Sequence, residues 1–376
     1  MASHSHLFRS RQELESRGLT LCGNIFEGLG ETYLPLYEAK MTNQFDHRHG
    51  SIIGSDDLAR MSGIAAQSTT LAQHQDPNFV ALPRYWVAKP DVDAVLDQLD
   101  LDFHFLVVFR DVARATDVRT AVCSVVPVTA VGHKAPLILP KSGNAKEACA
   151  FLGSLNSYTC DYLVRQKFGS ASLSFFVVKQ TPCPSPDVYR SDSCGFSVAW
   201  FVTRVLELTY TAWDLEAFST DCGYDGPPLR WDEERRFLLR CELDAAYFHL
   251  YLGSPAEWGS DSPELREMFP TPRDAVDYIM ETFPIVKRRD IKRTEVKDAQ
   301  GQVTTEGTYI TKDTILSIYD EMQRAIDTGE PYQTRLDPPP GPPTDAEGNF
   351  IPMDQWDEAN WPVHVHQPRP VTENAQ

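Results

Sequence analysis

The chain has 376 residues, 42% of them apolar and 23% charged, which is enough for two or three domains with a hydrophobic core and excludes wholesale disorder. No apolar run approaches the roughly 18 to 20 residues that a bilayer span needs, and no apolar signal core follows the N-terminus, so we expect a cytoplasmic protein without a membrane partner. Eight cysteines without a Cys-x-x-Cys pair indicate reduced, structural thiols.

The first part of the chain mixes helical, loop and strand patterns. We predict a helix over residues 9 to 17 and a flexible loop over the Gly-rich residues 22 to 30, because no strand precedes this stretch as a dinucleotide site requires. From Gly50 to Pro77 the small and polar composition indicates an exposed connection or a flexible insertion. Phe105 to Phe109 and Ala121 to Val131 are rich in β-branched and aromatic residues and are predicted to be buried strands.

The second part is mostly helical. Apolar residues at helical spacing predict one helix within residues 144 to 167, and Leu173 to Val178 has the composition of a further strand. Four more helices are predicted from apolar periodicity, and they cover Phe196 to Thr211, Trp231 to Leu252, Arg273 to Phe283 and Thr311 to Ile326. The last 50 residues contain ten prolines and little aliphatic content, which predicts a poorly ordered tail.

The charges are unevenly distributed along the chain. Thirty-five basic and 53 acidic residues give a net charge of -18, and a uniformly acidic surface of this charge would repel a polyphosphate. Residues 101 to 180, however, hold nine basic and five acidic side chains, whereas residues 327 to 376 hold two basic and nine acidic ones. The segment 101 to 180 is therefore where an anionic partner would bind.

One block of sequence resembles a known family. Tyr33 to Met41, followed by Gln44 to Arg48, is similar to the Leu-Tyr-Glu-Gly-Lys-Met and Gln-Phe-Asp-His-Arg block of large bacterial adenine-specific DNA methyltransferases of type II, fused restriction-modification and phage-defence systems. Phe109 to Ala113, Leu155 to Ser157 and the helical segment after Arg240 resemble further blocks of that family in the same order. The resemblance spans residues 5 to 325, and several ordered blocks are more specific than a single short motif.

The resemblance implies the C-terminal, target-recognition half of such an enzyme. Ala39 replaces the usual Gly, and neither the glycine motif for the cofactor nor the Asn-Pro-Pro-Tyr catalytic motif has room before Tyr33. We therefore expect no catalytic residue, metal or cofactor in this chain, with S-adenosylmethionine bound by a methyltransferase domain or subunit acting in trans. The implied partner is double-stranded DNA, whose adenine must leave the stack to be methylated.

The predicted fold class is α+β, a mixed-sheet target-recognition domain with a helical C-terminal extension. The predicted division is an entry segment with the family block and a flexible insertion (1–95), a target-recognition core (96–190), a helical extension (191–326) and an acidic, Pro-rich tail (327–376). A recognition domain needs donors for phosphates and base edges. The residues that we predict to contact DNA are Lys40, Gln44, His47, Arg48, Arg110, Arg119, Lys134, Asn156, Arg165 and Lys167.

Structural roles are open alternatives for each of these side chains. The arginines can pair with carboxylates, Asn156 can bond the backbone within its helix, and the block from Lys40 to Arg48 can link two halves of the enzyme. Two other function classes are also open. Glu38 and Lys40 could form half of a metal-dependent nuclease site, and an acidic, non-catalytic subunit could bind a partner protein.

Overall fold

A computed structural model describes residues 4–52, 66–99, 101, 103–114, 116–140, 143–169, 172–190, 196–260, 262–357, 359 and 361–369. The strands are β1 (Thr20–Cys22), β2 (Ile25–Gly28), β3 (Glu31–Tyr37), β4 (Gly50–Ser51), β5 (Gln67–Ser68), β6 (Trp86–Ala88), β7 (Phe105–Phe109), β8 (Cys123–Pro127), β9 (Ala130–Val131), β10 (Leu137–Ile138), β11 (Val296–Lys297) and β12 (Val303–Thr305). The helices are α1 (Arg11–Ser16), α2 (Leu71–Gln75), α3 (Lys89–Leu96), α4 (Ala145–Leu155), α5 (Tyr158–Lys167), α6 (Phe175–Val178), α7 (Pro186–Arg190), α8 (Val198–Thr209), α9 (Glu216–Asp221), α10 (Glu233–Leu252), α11 (Pro263–Met268), α12 (Pro272–Glu281), α13 (Pro284–Thr294) and α14 (Ile310–Thr328). This mixture of helices and small sheets confirms the general α+β class.

The N-terminal sheet has the order β1-β2-β3-β6 and is antiparallel, with β9 added in parallel to β3. The stretch that we predicted to be a flexible Gly-rich loop belongs to this sheet. Gly23 has a φ of 62°, and Leu29 and Gly30 have φ of 55° and 78°, so both connections are two-residue turns of the kind that joins twisted antiparallel strands. The glycines serve the turns and not a nucleotide. Of the predicted flexible insertion, residues 53 to 65 lie outside the described residues.

The second sheet, β10-β7-β8, lies at the centre of the core. Alternate residues of β7 point in opposite directions, as the strand geometry requires. Phe105, Val107 and Phe109 pack into the large cluster formed with the helices, whereas Leu106 and Val108 pack toward Tyr37 and Met41 on the N-terminal side. Burial on both faces explains why β7 is an unbroken apolar run.

Two local predictions in this region are wrong. The helix predicted within residues 144 to 167 is interrupted between α4 and α5, where the side chain of Ser157 accepts a hydrogen bond from the Cys160 amide at 3.1 Å and starts a new helix. The strand predicted over Leu173 to Val178 is instead the short helix α6. A short apolar run does not distinguish a strand from a buried helical turn.

The helices form the other side of the same core. Helix α4 packs on α8, and α10 packs on α5, α8 and α14. Because the large cluster includes Phe105, Leu152, Phe201, Phe248 and Ile318, the predicted boundary at residue 190 does not separate two hydrophobic cores. Among the described helices, none is long and apolar enough to cross a membrane.

The prediction of a poorly ordered tail is wrong for most of the C-terminal segment. Buried Glu242 accepts hydrogen bonds from the hydroxyl groups of Tyr332 and Thr334, at 3.0 and 2.5 Å. Buried Glu207 accepts one from the Gly341 amide at 2.7 Å, and Val365 is fully buried. The Pro-rich composition indicates few regular elements, but it does not reveal that buried carboxylates elsewhere in the chain offer acceptors to this segment.

Candidate nucleic-acid interface

The family block, by which we mean the stretch from Tyr33 to Arg48, contains a tight turn between β3 and β4. The amide of Asn43 donates to the Asp46 carbonyl at 2.7 Å, and the amide of Asp46 donates to the Asn43 carbonyl at 3.0 Å. Within this turn Phe45 has a φ of 56° and a buried ring. A bulky side chain with positive φ is strained and persists where the surroundings enforce it. The turn places Asn43 and Gln44 in one cleft.

Arg48 and His47 form internal links. The guanidinium of Arg48 is fully buried and donates to the carbonyl oxygens of His74, Asp76, Phe79 and Thr211 at 2.9 to 3.1 Å. His47 Nε2 lies 2.8 Å from the Asp214 carboxylate, and its side chain is 1% exposed. Neither side chain reaches a duplex, and we correct their prediction as DNA contacts. They join the family block to α2 and to the segment before α9.

Asp46 completes this internal network. Its carboxylate lies 3.2 Å from His74 Nε2 and 3.6 Å from His49 Nδ1. Burial raises the pKa of Asp46, but the interactions with His49 and His74 outweigh it, so the pKa lies well below its usual range. The carboxylate therefore stays ionised and fixes the turn.

Two residues that we predict to contact DNA, Arg119 and Arg165, instead pair with one buried carboxylate, that of Asp161. Asp161 is fully buried, and it lies 3.0 Å from Arg119 Nε and 3.4 Å from Arg165. It also accepts hydrogen bonds from the amides of Thr120 and Ala121, at 3.0 and 2.9 Å. Arg165 donates further to the Asp117 carbonyl at 2.8 Å. Both arginines therefore link α5 to the segment before β8. This is the structural role that we gave as the alternative to DNA contact.

Asn156 and Gln44 bond the backbone between β8 and α5. The side chain of Asn156 accepts from the Cys123 amide at 2.9 Å and donates to the Cys123 carbonyl at 3.0 Å, and the residue is buried. We therefore correct its prediction as a base contact. Gln44 Nε2 donates to the carbonyl oxygens of Ala121 and Asn156, at 3.2 and 3.0 Å, while the side chain still lines the cleft.

The three predicted lysines lie at the surface of the described residues. Lys134 pairs with Asp111, and its side chain is 44% exposed. The Lys167 amine donates to the Gln180 carbonyl, and this residue is exposed. Lys40 lies 3.4 Å from Glu38. Within the described ranges no group of three His, Cys, Asp or Glu side chains could hold a metal ion, either beside Glu38 or elsewhere.

A polar cleft of about 580 Å³ lies between the family block, the end of β7, the start of α5 and the helices α10 and α13. We call it the arginine cleft. Its lining consists of Asn43, Gln44, His49, Arg110, Asp117, Val118, Arg119, Val122, Tyr158, Phe237, Arg240, Cys241, Asp244, Arg289 and Thr311. Three predicted contacts, Gln44, Arg110 and Arg119, thus lie together, and four arginines face two aspartates.

Three arginines of the cleft differ from those described above. Within the part of the chain that the structure describes, the guanidinium groups of Arg110, Arg240 and Arg289 have no hydrogen bond or ion pair. Burial lowers the pKa of Arg110, and the charge of Asp117 only partly opposes this effect. Burial and then the nearby charge of Arg240 lower the pKa of Arg236 to about 9. Arg240 and the neighbouring Arg236 therefore repel each other, and Arg110 is partly desolvated without an ion pair among the described residues.

Sequence patterns did not select Arg240 and Arg289 as binding residues. The periodicity of α10 places Arg236, Arg240 and Asp244 on one polar face, and only Arg240 remains partly exposed. Arg236 is instead buried against Trp231, with its guanidinium carbon 3.5 Å from the ring centre. Asp244 is buried and accepts a hydrogen bond from the Tyr158 amide at 2.7 Å. The packing of α5 on α10 buries Asp244 and leaves Arg240 partly exposed, and both side chains line the cleft.

Asp244 is the acidic group with the most unusual environment in the cleft. Burial raises its pKa to about 6, although the charge of Arg119 and the hydrogen bond from Tyr158 act in the opposite direction. Below about pH 6 the Asp244 carboxylate is therefore increasingly protonated, and less of its negative charge opposes the arginines.

No family model, no curated protein and no solved structure matches this chain. The resemblance to adenine-specific DNA methyltransferases stays a prediction from the motifs. What the cleft can bind has to be argued from its own residues.

Proposed function

We propose that this chain is the DNA-recognition part of an adenine-specific DNA methyltransferase of a restriction-modification or phage-defence system. The methyltransferase domain, with its S-adenosylmethionine, would lie outside these 376 residues. The observation that supports the proposal best is the arginine cleft, where Arg110, Arg240 and Arg289 have no partner among the described residues, next to the family block. A mixed-sheet target-recognition domain with a helical extension is the corresponding fold.

The chemistry of the cleft suits a nucleic-acid backbone. A guanidinium group presents a planar set of donors that matches phosphate oxygens, and it remains charged at any pH of interest. Arg110 and Arg240 are partly buried and Arg289 is exposed, and donors without a partner gain more from an anion than donors that already bind a carboxylate. The side chain of Asn43 and the amide oxygen of Gln44, whose nitrogen already donates to Ala121 and Asn156, could contact sugars or base edges.

The net charge of -18 does not oppose this function, because the acidic residues are concentrated elsewhere. The exposed lysines, Lys134 and Lys167, belong to the same net-positive segment as Arg110 and could contact phosphates beyond the cleft. At physiological salt, charges more than about 8 Å apart at the surface are largely screened, so local balance matters more than the total.

Binding of a fluorescent DNA duplex to the purified chain tests the proposal. We expect the logarithm of the affinity to fall linearly with the logarithm of salt concentration between about 50 and 200 mM. In the triple variant R110Q/R240Q/R289Q, the magnitude of this slope should fall by about one if the three arginines together hold one phosphate. The variant R288Q/K292Q/R324Q removes the same charge from exposed positions outside the cleft and should largely keep the slope.

Two outcomes would contradict the proposal. Undetectable or salt-insensitive binding, also in the presence of a candidate methyltransferase partner, would exclude a DNA-recognition role. Equal losses in the two triple variants would show that only net charge matters and that the cleft does not contact DNA. The chain alone should transfer no methyl group from S-adenosylmethionine, and transfer should require the partner.

A further inference from the structure

The size of the arginine cleft restricts what can enter it. A DNA duplex presents a major groove about 12 Å wide, and the whole helix is wider than a cleft of this volume can hold. With about 580 Å³, the cleft has room for one phosphate and the nucleotide attached to it. A group that protrudes from a duplex, or a small molecule, is therefore the ligand that fits.

The three arginines without partners come from separate parts of the chain. Arg110 follows β7, Arg240 lies on α10, and Arg289 lies on α13. Each projects into the same cleft. Donors that converge from three elements surround an oxyanion from several sides, whereas neighbouring cations on one helix form only a charged stripe.

We propose that the arginine cleft is a site for one phosphate ester group, bound by Arg110, Arg240 and Arg289. This inference rests on the proposed function, because it names the ligand chemistry of the same cleft. The phosphate can belong to a DNA backbone or to a free nucleotide, since the shared chemistry is the ester dianion or monoanion.

The acidic residues of the cleft are already engaged and do not replace such a ligand. Asp117 accepts a hydrogen bond from the Arg114 amide at 3.0 Å, and Asp244 accepts one from the Tyr158 amide. His49 lies against Asp46, and Arg119 against Asp161. Neither Asp117 nor Asp244 forms an ion pair with the three arginines in the described part of the chain. Their charges weaken anion binding without occupying the site.

Calorimetric titration of the full chain with inorganic phosphate, 5′-AMP and adenosine tests the inference. We expect saturable one-to-one binding of phosphate and 5′-AMP with a dissociation constant on the order of 1 mM, and no binding of adenosine. R240Q should weaken phosphate binding by about tenfold, and R240K by less, because lysine keeps the charge but loses the planar set of donors.

Two control variants separate the site from the overall charge. R288Q removes a cation from α13 outside the cleft and should leave phosphate affinity unchanged. D244N removes a negative charge from the cleft, and its amide oxygen can still accept from Tyr158, so it should bind phosphate more tightly. Circular dichroism checks the fold of each variant, and R240K decides the test if R240Q does not fold.

The source of the phosphate follows from competition between 5′-AMP and the duplex. If 5′-AMP displaces the duplex, the cleft binds a backbone phosphate, and both proposals are supported. If 5′-AMP binds but does not displace the duplex, the phosphate site stands, and the role of this cleft in DNA binding is overturned. If the duplex binds while neither phosphate nor 5′-AMP binds saturably, or if R240Q and R240K both equal the wild type, this inference is overturned and the proposed function is not.

Discussion

Two sets of arginines in this protein face opposite environments. Arg48, Arg119 and Arg165 are almost entirely buried, and they bind backbone carbonyl oxygens or the carboxylate of Asp161. Arg110, Arg240 and Arg289 line a cleft and have no partner among the described residues. The first set includes the arginine of the family block, whereas two members of the second set stand out in no motif. Partners and burial, and not membership of a motif, decide which cations remain available for a ligand.

The largest effect is expected from removing the carboxylate that two arginines of the first set, Arg119 and Arg165, share. Asp161→Asn leaves Arg119 and Arg165 without their buried counter-charge, although the new amide oxygen can still accept from Thr120 and Ala121. Breaking a buried ion pair on one side costs about 3–5 kcal/mol, because the remaining charge is uncompensated. The free energy of unfolding, measured by denaturant titration, should fall by this amount.

Glu330→Gln is the matched control for this prediction. Glu330 is exposed, so the same loss of a carboxylate should change the free energy of unfolding by less than about 0.5 kcal/mol. A similar small change in Asp161→Asn would show that Arg119 and Arg165 do not depend on the carboxylate. The division into two sets of arginines would then lose its basis.

A smaller, pH-dependent effect is expected at Asp244, which lies between the two sets. Its pKa in the folded protein is about 6, against an ordinary value of 3.8, so the folded state binds the proton more tightly than the unfolded state. Ionisation of Asp244 therefore disfavours folding. The free energy of unfolding should lose about 3 kcal/mol from this group as pH rises from about 4 to 6, at about 1.4 kcal/mol per unit.

Comparison of the wild type with Asp244→Asn isolates this contribution. The variant has no titrating group at this position. Its free energy of unfolding minus that of the wild type should therefore increase between pH 4 and 6 and stay constant above pH 6. Other groups, such as Asp46 with its lowered pKa, affect both proteins equally and cancel in the difference. Denaturant titrations at several pH values measure this difference in the free energy of unfolding. A difference that does not change with pH would show that Asp244 has an ordinary pKa.

The general α+β class and the long helices could be predicted from apolar periodicity, since α8, α10, α12 and α14 lie within two residues of their expected bounds. Periodicity cannot show which polar side chain of a helix meets a neighbour. On α10, Asp244 is buried against α5 and Arg236 against Trp231, whereas Arg240 stays partly exposed. The break between α4 and α5 also depends on a distant partner, the backbone of Cys123, to which Asn156 bonds.

The candidate site was predictable only in part, for the same reason. Gln44, Arg110 and Arg119 lie in the arginine cleft, as members of the predicted set. Arg48 and Asn156 have side chains of the type that contacts DNA, but their partners are backbone groups from segments that are distant in sequence. Arg240 and Arg289 join the cleft from α10 and α13, and no local pattern brings these two helices to the end of β7.

The smallest effect on stability is expected in the second set of arginines. In R110Q/R240Q/R289Q no ion pair or hydrogen bond of the described residues is lost, and a partly buried charge at position 110 is removed. Each substitution should therefore change the free energy of unfolding by less than about 0.5 kcal/mol. Thermal denaturation without phosphate should give nearly the same midpoint for this variant and the wild type.

Phosphate should separate the two proteins. A ligand that binds only the folded state stabilises it by RT ln(1 + [L]/Kd), which is about 2.7 kcal/mol at a concentration 100 times the dissociation constant. The melting temperature of the wild type should therefore rise with phosphate, whereas that of the triple variant should rise only by the general effect of salt, which an equal ionic strength of chloride measures. A variant that is already unstable without phosphate would reveal internal partners of these arginines and would move them into the first set.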